Sequence, residues 1–342
     1  MSSMPRKFLS YLPHVENQLK SLFRDRKLPL YRMMEYHMGW MDENGRENAD
    51  ANSGKMLRAT LCLLAAESVT GDFKKALPVS AAIELIHNYS LVHDDIQDGD
   101  ELRRHRSTVW KIWGSPQAIN AGSALKMLAD LSILQLRGNG IPPEKQLDVF
   151  DILETNCLKM IEGQYMDIDF EQRDSIAVEQ YLEMIEKKTS ALISGALQSG
   201  AVLGVERKKL DGFERFGKYL GIAFQITDDI LGIWGNDKKT GKPKGNDIRK
   251  KKKSLPIVFC MQEGKNKSAL KLKSTYTKNR ISGRSVRTVL AALEDCQSKK
   301  FCQDQAEKYY ILALEELEKL PIRKEYMGHY SDIARFLIKR DF

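Results

Sequence analysis

The sequence predicts an all-α protein, folded as one large domain across residues 1–342. Apolar side chains recur at Val79, Ala82 and Ile86, which is the spacing of one helical face. Segments with a similar pattern cover residues 56–68, 117–136, 144–165, 179–203, 210–233 and 286–317. Glycine and proline clusters separate many of these segments, and no run of alternating β-branched residues between hairpin turns stands out. These observations favour helices joined by short polar breaks.

The composition is that of a globular protein with a substantial core, since 42% of the residues are hydrophobic and 29% are charged. No stretch of about 18 uninterrupted apolar residues is present, so no membrane span is expected. The N-terminal residues lack the apolar segment of a secretory signal. Five scattered cysteines without a Cys-x-x-Cys pair indicate neither a disulfide framework nor a zinc site. Together these features predict a cytoplasmic protein.

The positive net charge of +8 is local, because it comes from the segment 238–253. This segment contains nine lysines or arginines and one aspartate, and the rest of the chain carries 45 basic and 45 acidic residues. A basic run of this kind could hold a diphosphate, a nucleic acid or an acidic lipid. It could equally be a solvated loop, so the run alone does not choose among these partners.

Two aspartates near the end of a predicted helix give the strongest chemical signal. Asp94 and Asp98 are four residues apart, so on a helix their Cβ atoms share one face about 6 Å apart. Carboxylates at this spacing suit Mg²⁺, which takes one or two carboxylates together with waters and substrate phosphates. Arg103 and Arg104 follow, and their guanidinium groups are suited to phosphate oxygens. The alternative is an amphipathic helix end with acid–base pairs.

A second aspartate pair, Asp228 and Asp229, also follows a buried-looking helical run. Two such pairs, each ending an apolar helix, suggest metal ligands that face each other across a cavity. Lys55 and Arg58 add a weaker signal, because residues three apart share a helical face and both side chains could bind phosphate. The spacing of a P-loop is absent, as are the G-x-G-x-x-G and H-E-x-x-H motifs.

Taken together, the three segments resemble the trans-prenyl diphosphate synthases of the polyprenyl synthetase family. LVHDDIQD is similar to the first aspartate-rich motif of that family and FQITDDILG to the second, and the resemblance covers about residues 50–260. It implies a helical bundle of the isoprenoid synthase type with a central apolar cavity, Mg²⁺ as the cofactor, and a homodimer. It gives as catalytic residues Asp94, Asp95, Asp98, Asp228 and Lys188, with Asp94, Asp98 and Asp228 as the metal ligands.

The same resemblance assigns the substrate contacts. Isopentenyl diphosphate is expected to contact Lys55, Arg58, His87 and Arg104. The diphosphate of the allylic substrate is expected to contact Arg103, Lys188, Thr189, Gln225, Lys242 and Lys252. The implied reaction is ionisation of the allylic diphosphate, assisted by Mg²⁺ and these cations. The double bond of isopentenyl diphosphate then attacks the carbocation and a proton is lost, with the released pyrophosphate as a plausible base.

The chain departs from the family pattern at several positions. Gly232 stands where many relatives carry a third aspartate, so metal binding by the second motif rests mainly on Asp228, with Asp229 as a further candidate. His105 replaces a common glycine. These departures leave the other implied ligands intact and indicate a divergent member.

Product length is expected to depend on the residues just before Asp94. The resemblance implies that the residues four and five before the first aspartate form the floor of the product tunnel, and here they are Ser90 and Tyr89. Around the helix, Ser90 lies about 40° from Asp94 and Tyr89 about 140° from it. The small Ser90 is expected to leave the tunnel deep, and the bulky Tyr89 to limit its depth. Family members that form farnesyl diphosphate tend to have two aromatic residues here or an insertion in the motif, and neither is present. We therefore expect the twenty-carbon geranylgeranyl diphosphate, with farnesyl diphosphate next.

Three other functions remain as alternatives. A class I terpene cyclase on the same fold would also ionise an allylic diphosphate, but it needs no isopentenyl diphosphate site, so the four residues implied for that site argue against it. A non-catalytic partner subunit is disfavoured by the two aspartate motifs. A nucleic-acid-binding module has only the basic run in its support, and that run lacks interleaved aromatic side chains for base stacking.

Overall fold

The computed structural model describes residues 4–48, 54–235, 245–262, 267–277 and 281–338. Regular structure in these ranges is almost wholly helical, which confirms the predicted fold class. The helices are Arg6–Phe23, Pro29–His37, Leu57–Thr70, Leu77–Gln97, Val109–Trp113, Ser115–Leu134, Pro143–Gln172, Val178–Ile185, Ala191–Ala201, Asp211–Trp234, Asn246–Arg249, Leu255–Gln262, Lys267–Tyr276, Gly283–Asp295, Ser298–Leu317 and Met327–Ile338. Two short strands, Leu102–Arg103 and Arg106–Ser107, pair as an antiparallel hairpin. None of the helices in the described ranges has the length and apolarity needed to cross a membrane.

Shorter helical turns complete the regular structure. The 3-10 turns are Lys74–Ala76, Gln135–Asn139, Arg207–Lys209 and Lys324–Tyr326. A π-helical turn, Glu186–Ser190, joins two of the helices. Turns of this kind occur mostly inside α-helices and frequently at functional sites.

The chain divides into two compact units. The unit that contains the first aspartate motif, the first-motif unit, comprises residues 6–155 and 195–210. The second-motif unit comprises residues 156–194 and 211–342 together with the first five residues. Each unit has its own buried side chains.

The first-motif helix, Leu77–Gln97, lies at the centre of the first-motif unit. Pro78 stands in its first turn, where the missing amide proton of proline costs no helical hydrogen bond. Its apolar face is fully buried, in agreement with the predicted helical spacing, and its most extensive packing in this unit is against Ser115–Leu134. The helix ends before Gly99, whose φ of 65° is a conformation that glycine adopts without strain. This ending places Asp94 in the last turn and Asp98 at the C-cap position.

Close packing of backbones is visible where the chain carries small residues. The helix Leu57–Thr70 is buried on nearly every side. A Cβ atom added to Gly200 would lie 2.1 Å from the carbonyl oxygen of Cys62, so only glycine allows this approach. The glycine-rich segment near residue 200 is therefore a tightly packed core helix, as its composition indicates.

The second-motif helix, Asp211–Trp234, organises the second-motif unit. Asp211 and Glu214 lie in its first turn, where acidic side chains interact favourably with the helix dipole. The helix packs most extensively on Ser298–Leu317. A Cβ atom on Gly221 would lie 2.6 Å from Cα of Ser190, so the helix also approaches the π-helical turn closely.

The prediction of one continuous helical segment over residues 286–317 is wrong. The structure has two helices there, Gly283–Asp295 and Ser298–Leu317. Gln297 lies between them with a φ of 54°, a left-handed conformation that a right-handed helix cannot contain. No glycine or proline marks this break, and the apolar pattern continues across it.

Candidate active site

The first-motif helix presents two carboxylates at its C-terminal end. The amide of Asp98 donates to the carbonyl oxygen of Asp94 at 2.8 Å, and both side chains are partly exposed. Within the described residues, no group of three His, Cys, Asp or Glu side chains is arranged to hold a metal ion. The pair Asp94 and Asp98 fits Mg²⁺ in its usual protein coordination, in which one or two carboxylates act together with waters and phosphate oxygens.

Asp95 has a different environment from its two neighbours in the motif. Its side chain is 2% exposed, and its oxygens accept hydrogen bonds from Nε of Arg103 at 2.8 and 3.0 Å. Nη2 of Arg103 adds a contact of 2.8 Å to Asp95 and lies 3.6 Å from Asp94. Burial raises the pKa of Asp95 to about 6, against the lowering effect of the guanidinium group. This bidentate pair fixes the orientation of Arg103.

A hairpin turn places the arginines that follow the motif. Arg104 and His105 occupy the turn with φ angles of 50° and 64°. Glycine adopts this left-handed conformation without steric cost, so the turn also suits the glycine that the family resemblance implies at the position of His105. Arg106 anchors the hairpin by donating to the carbonyl oxygens of Tyr36 at 3.1 Å and Met41 at 2.6 Å.

Three of the four residues implied for isopentenyl diphosphate come together in the first-motif unit. Nη1 of Arg58 donates to Nε2 of His87 at 3.3 Å. The guanidinium group of Arg104 approaches the segment before Lys55, because a Cβ atom on Gly54 would lie 2.7 Å from its Nη2. Lys55 itself is exposed next to this contact. The hairpin and the start of the helix Leu57–Thr70 thus bring positive charge to one place.

His87 is a neutral member of this cluster. Burial lowers its pKa well below the ordinary value, and the charges of Arg58 and Arg104 lower it further. Since arginine can only donate hydrogen bonds, Nε2 of His87 accepts from Arg58 and the ring proton resides on Nδ1. The imidazole therefore holds the guanidinium group in place and adds no charge.

Glu84 is a buried carboxylate that the sequence analysis did not single out. It is 1% exposed on the first-motif helix, and Nδ2 of Asn88 donates to its carbonyl oxygen at 2.8 Å and to its Oε1 at 3.2 Å. Burial raises the pKa of Glu84, while Arg58 and Arg104 lower it. A lone glutamate inside the apolar run AAIELIH was the signal that could have identified it.

A polar pocket of about 320 Å³ lies within the first-motif unit. Its lining residues are Tyr36, His37, Asp42, Asn48, Arg103, Arg104, Arg106, Ser107, Thr108 and Val109. The three arginines among them give the pocket the charge that an anionic ligand requires. His37, which sequence analysis also missed, is held neutral because burial lowers its pKa to about 3, with the charges of Arg103 and Arg104 acting in the same direction.

Acidification is expected to destabilise the protein in part through His37. The folded state releases its proton at about pH 3, whereas the unfolded chain releases it near 6.5. Because the unfolded state binds more protons between these values, this stability is present above pH 6.5 and is lost as the pH falls toward 3. We expect a loss of about 2 kcal/mol at about pH 5 that His37→Gln removes. Urea unfolding of both proteins at neutral and acidic pH measures it, and identical pH dependences would contradict the expectation.

In the second motif, Asp228 and Asp229 have contrasting environments. Asp228 is partly exposed, whereas Asp229 is 4% exposed. Asp229 accepts hydrogen bonds from the hydroxyl of Tyr181 at 2.5 Å, Nε2 of Gln225 at 3.0 Å and the amide of Leu255 at 3.1 Å. Burial raises the pKa of Asp229 to about 7, and these three donors lower it. The buried carboxylate thus ties three elements together, and Asp228 is the accessible member of the pair.

Two of the residues implied for the allylic diphosphate in the second-motif unit, Thr189 and Gln225, are hydrogen-bonded to each other, and a third, Lys188, has an acidic partner. Oγ1 of Thr189 donates to Oε1 of Gln225 at 2.8 Å, and Gln225 in turn donates to Asp229. Nζ of Lys188 contacts Oδ2 of Asp167 at 2.5 Å. Lys188 and Thr189 both lie in the π-helical turn, which directs consecutive side chains toward these partners. Asp167 and Tyr181 were missed, because their partners Lys188 and Asp229 are distant in sequence.

The basic run is only partly described. Lys242 lies outside the described residues. Lys252 is partly exposed, and its amide donates to the carbonyl oxygen of Asp247 at 2.9 Å. The arrangement of the two aspartate motifs on opposite sides of a cavity stays a prediction, since they belong to different units.

Comparisons with known proteins agree with the motifs. Residues 39–293 match the family model described as polyprenyl synthetase. A (2E,6E)-farnesyl diphosphate synthase of Mycobacterium tuberculosis is 34% identical over 312 residues, which cover 90% of this chain and 85% of that protein. A geranylgeranyl diphosphate synthase of the same species is 39% identical over 249 residues, with 72% and 69% covered. The crystal structure of a polyprenyl synthetase from Streptomyces coelicolor A3(2) aligns with a TM-score of 0.91 at 32% identity, covering 98% of this chain and 100% of that one.

Proposed function

This chain belongs to the polyprenyl synthetase family and is a short-chain trans-prenyltransferase, and we propose that it condenses isopentenyl diphosphate with an allylic prenyl diphosphate. The observation that carries this proposal is the cluster of Arg58, His87 and Arg104. An enzyme that only ionises one allylic diphosphate has no need for a second cationic site. The cluster therefore favours a condensing enzyme over a terpene cyclase.

In the proposed mechanism, the carboxylates of the first motif would bind the allylic diphosphate through a metal ion, and the guanidinium group of Arg103 would bind it directly. Asp94 and Asp98 are the accessible carboxylates and would hold Mg²⁺, which supplies positive charge to the departing pyrophosphate. Arg103 donates to the phosphate oxygens from the position that its pair with Asp95 fixes. Asp95 is thus a positioning residue, whose negative charge also offsets part of the desolvation of Arg103.

The second motif contributes Asp228 as its metal ligand, since Asp229 is buried and engaged by three donors. Asp229 instead positions Gln225, which in turn meets Thr189. These two side chains and Lys188 are proposed to orient the allylic diphosphate. Lys242 and Lys252 complete the proposed set by neutralising the leaving group.

The remaining parts of the proposal concern the whole molecule. We propose that residues 1–342 act as a single domain that works as a homodimer in the cytoplasm, with no nucleic acid as a partner. The helix Ser115–Leu134 supports a dimer, because it exposes Ile119, Met127, Leu131 and Leu134 along one side. A reducing compartment suits the cysteines, since none of the five, all in described segments, forms a disulfide.

The structure around the first motif also supports a specific product length. We propose geranylgeranyl diphosphate as the main product, with Tyr89 limiting further elongation. The ring of Tyr89 packs edge-on against His93, with centroids 4.9 Å apart, while the hydroxyl of Ser90 is turned to the carbonyl oxygen of His87 at 2.7 Å. One bulky side chain is therefore held in a defined orientation beside a small one.

Replacing Tyr89 with alanine is expected to lengthen the product beyond twenty carbons, because the ring that limits the depth of the tunnel is removed. Chromatography of the dephosphorylated products measures the chain length. Tyr31→Ala, in the helix Pro29–His37, is a matched control and should leave the product unchanged. An unchanged product from Tyr89→Ala would show that this ring does not set the length.

The proposed reaction itself is tested by incubating the purified chain with Mg²⁺, labelled isopentenyl diphosphate and each allylic starter of five, ten or fifteen carbons. We expect labelled twenty-carbon diphosphate from at least one starter and none after the metal is chelated. Failure to incorporate label from any starter, with a folded protein, would contradict the proposal. It would favour the non-catalytic partner subunit instead.

A further inference from the structure

A carboxylate from another segment fills the space beside Gly232. A Cβ atom added to this glycine would lie 1.9 Å from Oδ2 and 2.6 Å from Cγ of Asp247. Gly232 belongs to the second-motif helix, and Asp247 belongs to the short helix Asn246–Arg249. The side chain of Asp247 therefore occupies the position that a side chain at residue 232 would need.

This position lies on the face of the helix that carries the accessible aspartate of the second motif. Residues 228 and 232 are four apart, so their Cβ positions share one helical face about 6 Å apart. An aspartate at residue 232 would be one turn from Asp228, which is the spacing of Asp94 and Asp98 in the first motif. The carboxylate of Asp247 is thus in place to complete a corresponding pair in the second motif.

The backbone around Asp247 is anchored to the end of the second-motif helix. The amide of Gly245 donates to the carbonyl oxygen of Ile233 at 3.1 Å. Ile248 is fully buried and belongs to the same hydrophobic cluster as Ile233. On the other side, the carbonyl oxygen of Asp247 accepts from the amide of Lys252 at 2.9 Å. The position of this carboxylate follows from packing on both sides of it.

We propose that Asp247 supplies the carboxylate that Gly232 cannot, and that it holds Mg²⁺ together with Asp228. This inference rests on the proposed function, because it concerns the same metal site. Glycine at residue 232 then has a chemical reason, since any side chain there would displace the carboxylate of Asp247. The backbone contact between Asp247 and Lys252 also links metal binding to a lysine proposed for the leaving diphosphate.

Calorimetric titration of Mg²⁺ into the protein saturated with inorganic pyrophosphate tests the proposal without a turnover assay. Asp247→Asn keeps the volume of the side chain and removes its charge, and we expect it to weaken Mg²⁺ binding roughly tenfold or more. Asp211→Asn, at the exposed far end of the second-motif helix, is the matched control and should bind Mg²⁺ like the wild type.

Moving the carboxylate from residue 247 to residue 232 shows whether Asp247 acts as a metal ligand or only through packing. The double variant Gly232→Asp, Asp247→Ala returns a carboxylate to this helical face and should recover most of the lost affinity. The variant Gly232→Asn, Asp247→Ala restores the same volume without the charge and should remain weak. Equal recovery by both double variants would overturn the proposal in favour of packing, and thermal unfolding of each protein verifies that it is folded.

Asp228→Asn distinguishes failure of this inference from failure of the proposed function. If Asp228→Asn weakens Mg²⁺ binding and Asp247→Asn does not, the role of Asp247 is refuted and the proposed metal site stands. If neither substitution changes the affinity, the proposed metal site itself is wrong. Weakening by both, with recovery only by the carboxylate-bearing double variant, is the result that we expect.

Discussion

Replacing Asp94 with asparagine will lower turnover by roughly 10²–10³-fold, the size expected when one electrostatic contact to the departing group is lost. Asparagine keeps the shape of the side chain but cannot supply the negative charge that the metal ion requires. The fold should be unaffected, because the carboxylate is partly exposed and its removal relieves repulsion from Asp98 one turn away. Steady-state rates at saturating concentrations of both substrates and Mg²⁺ measure the effect.

Asp25→Asn is the matched control for this prediction. Asp25 is exposed in the first-motif unit with a φ of 67°, a conformation that asparagine also tolerates. The control should retain wild-type turnover and stability. If Asp94→Asn kept a rate close to that of the wild type, Asp94 would not be a metal ligand and the assignment of the first motif would be wrong.

The second large effect is expected from Arg58→Gln, which should raise the KM for isopentenyl diphosphate. A hydrogen bond to a charged group contributes about 1.5–3 kcal/mol, so the KM should rise roughly 10- to 100-fold. The KM for the allylic diphosphate should change little, because Arg58 contacts His87 and is proposed to meet only the second substrate. Initial rates measured with each substrate varied in turn provide both constants.

A rise in the KM for isopentenyl diphosphate alone is the result that assigns Arg58 to the site of the second substrate. Arg24→Gln removes an exposed guanidinium group from the same unit and should leave both constants unchanged. An equal rise in both KM values for Arg58→Gln would show that the residue supports the site in general. An unchanged KM for isopentenyl diphosphate would remove Arg58 from the binding site.

The helices with the clearest hydrophobic pattern could be predicted from the sequence, because their apolar faces are continuous. In the first-motif helix, Val79, Ala82 and Ile86 are all fully buried, as their spacing indicates. The break at Gln297 could not be predicted, because it depends on a left-handed residue without glycine or proline. The hairpin was also missed, since its strands are two residues long and carry no alternating pattern.

The candidate site residues that could be proposed from the sequence are those that belong to a motif within one segment. Asp94 and Asp228 were singled out because aspartate pairs that end apolar helices indicate metal binding by themselves, whereas the spacing of Arg58 from Lys55 was a weaker signal that gained its meaning from the resemblance. Tyr181 and Asp167 could not be found in this way, because their partners Asp229 and Lys188 are distant in sequence.

Asp247 was also overlooked, because the sequence analysis used it only to count the charge of the basic run. Asp247 was counted as the single acid in a basic run, where a lone aspartate carries no motif of its own. Its proximity to Gly232 depends on how the chain returns to the second-motif helix, and only the fold shows it. In our proposal, Asp247 takes the place of the carboxylate that residue 232 lacks.

One reaction, run with and without the second substrate, distinguishes a condensing synthase from a terpene cyclase. The purified chain is incubated with Mg²⁺ and a labelled allylic diphosphate, first alone and then with isopentenyl diphosphate, and the products are separated by chromatography. If the chain condenses the two substrates, an elongated prenyl diphosphate forms only when isopentenyl diphosphate is present. Hydrocarbon released from the allylic diphosphate alone would contradict the proposed condensation and would identify a terpene cyclase.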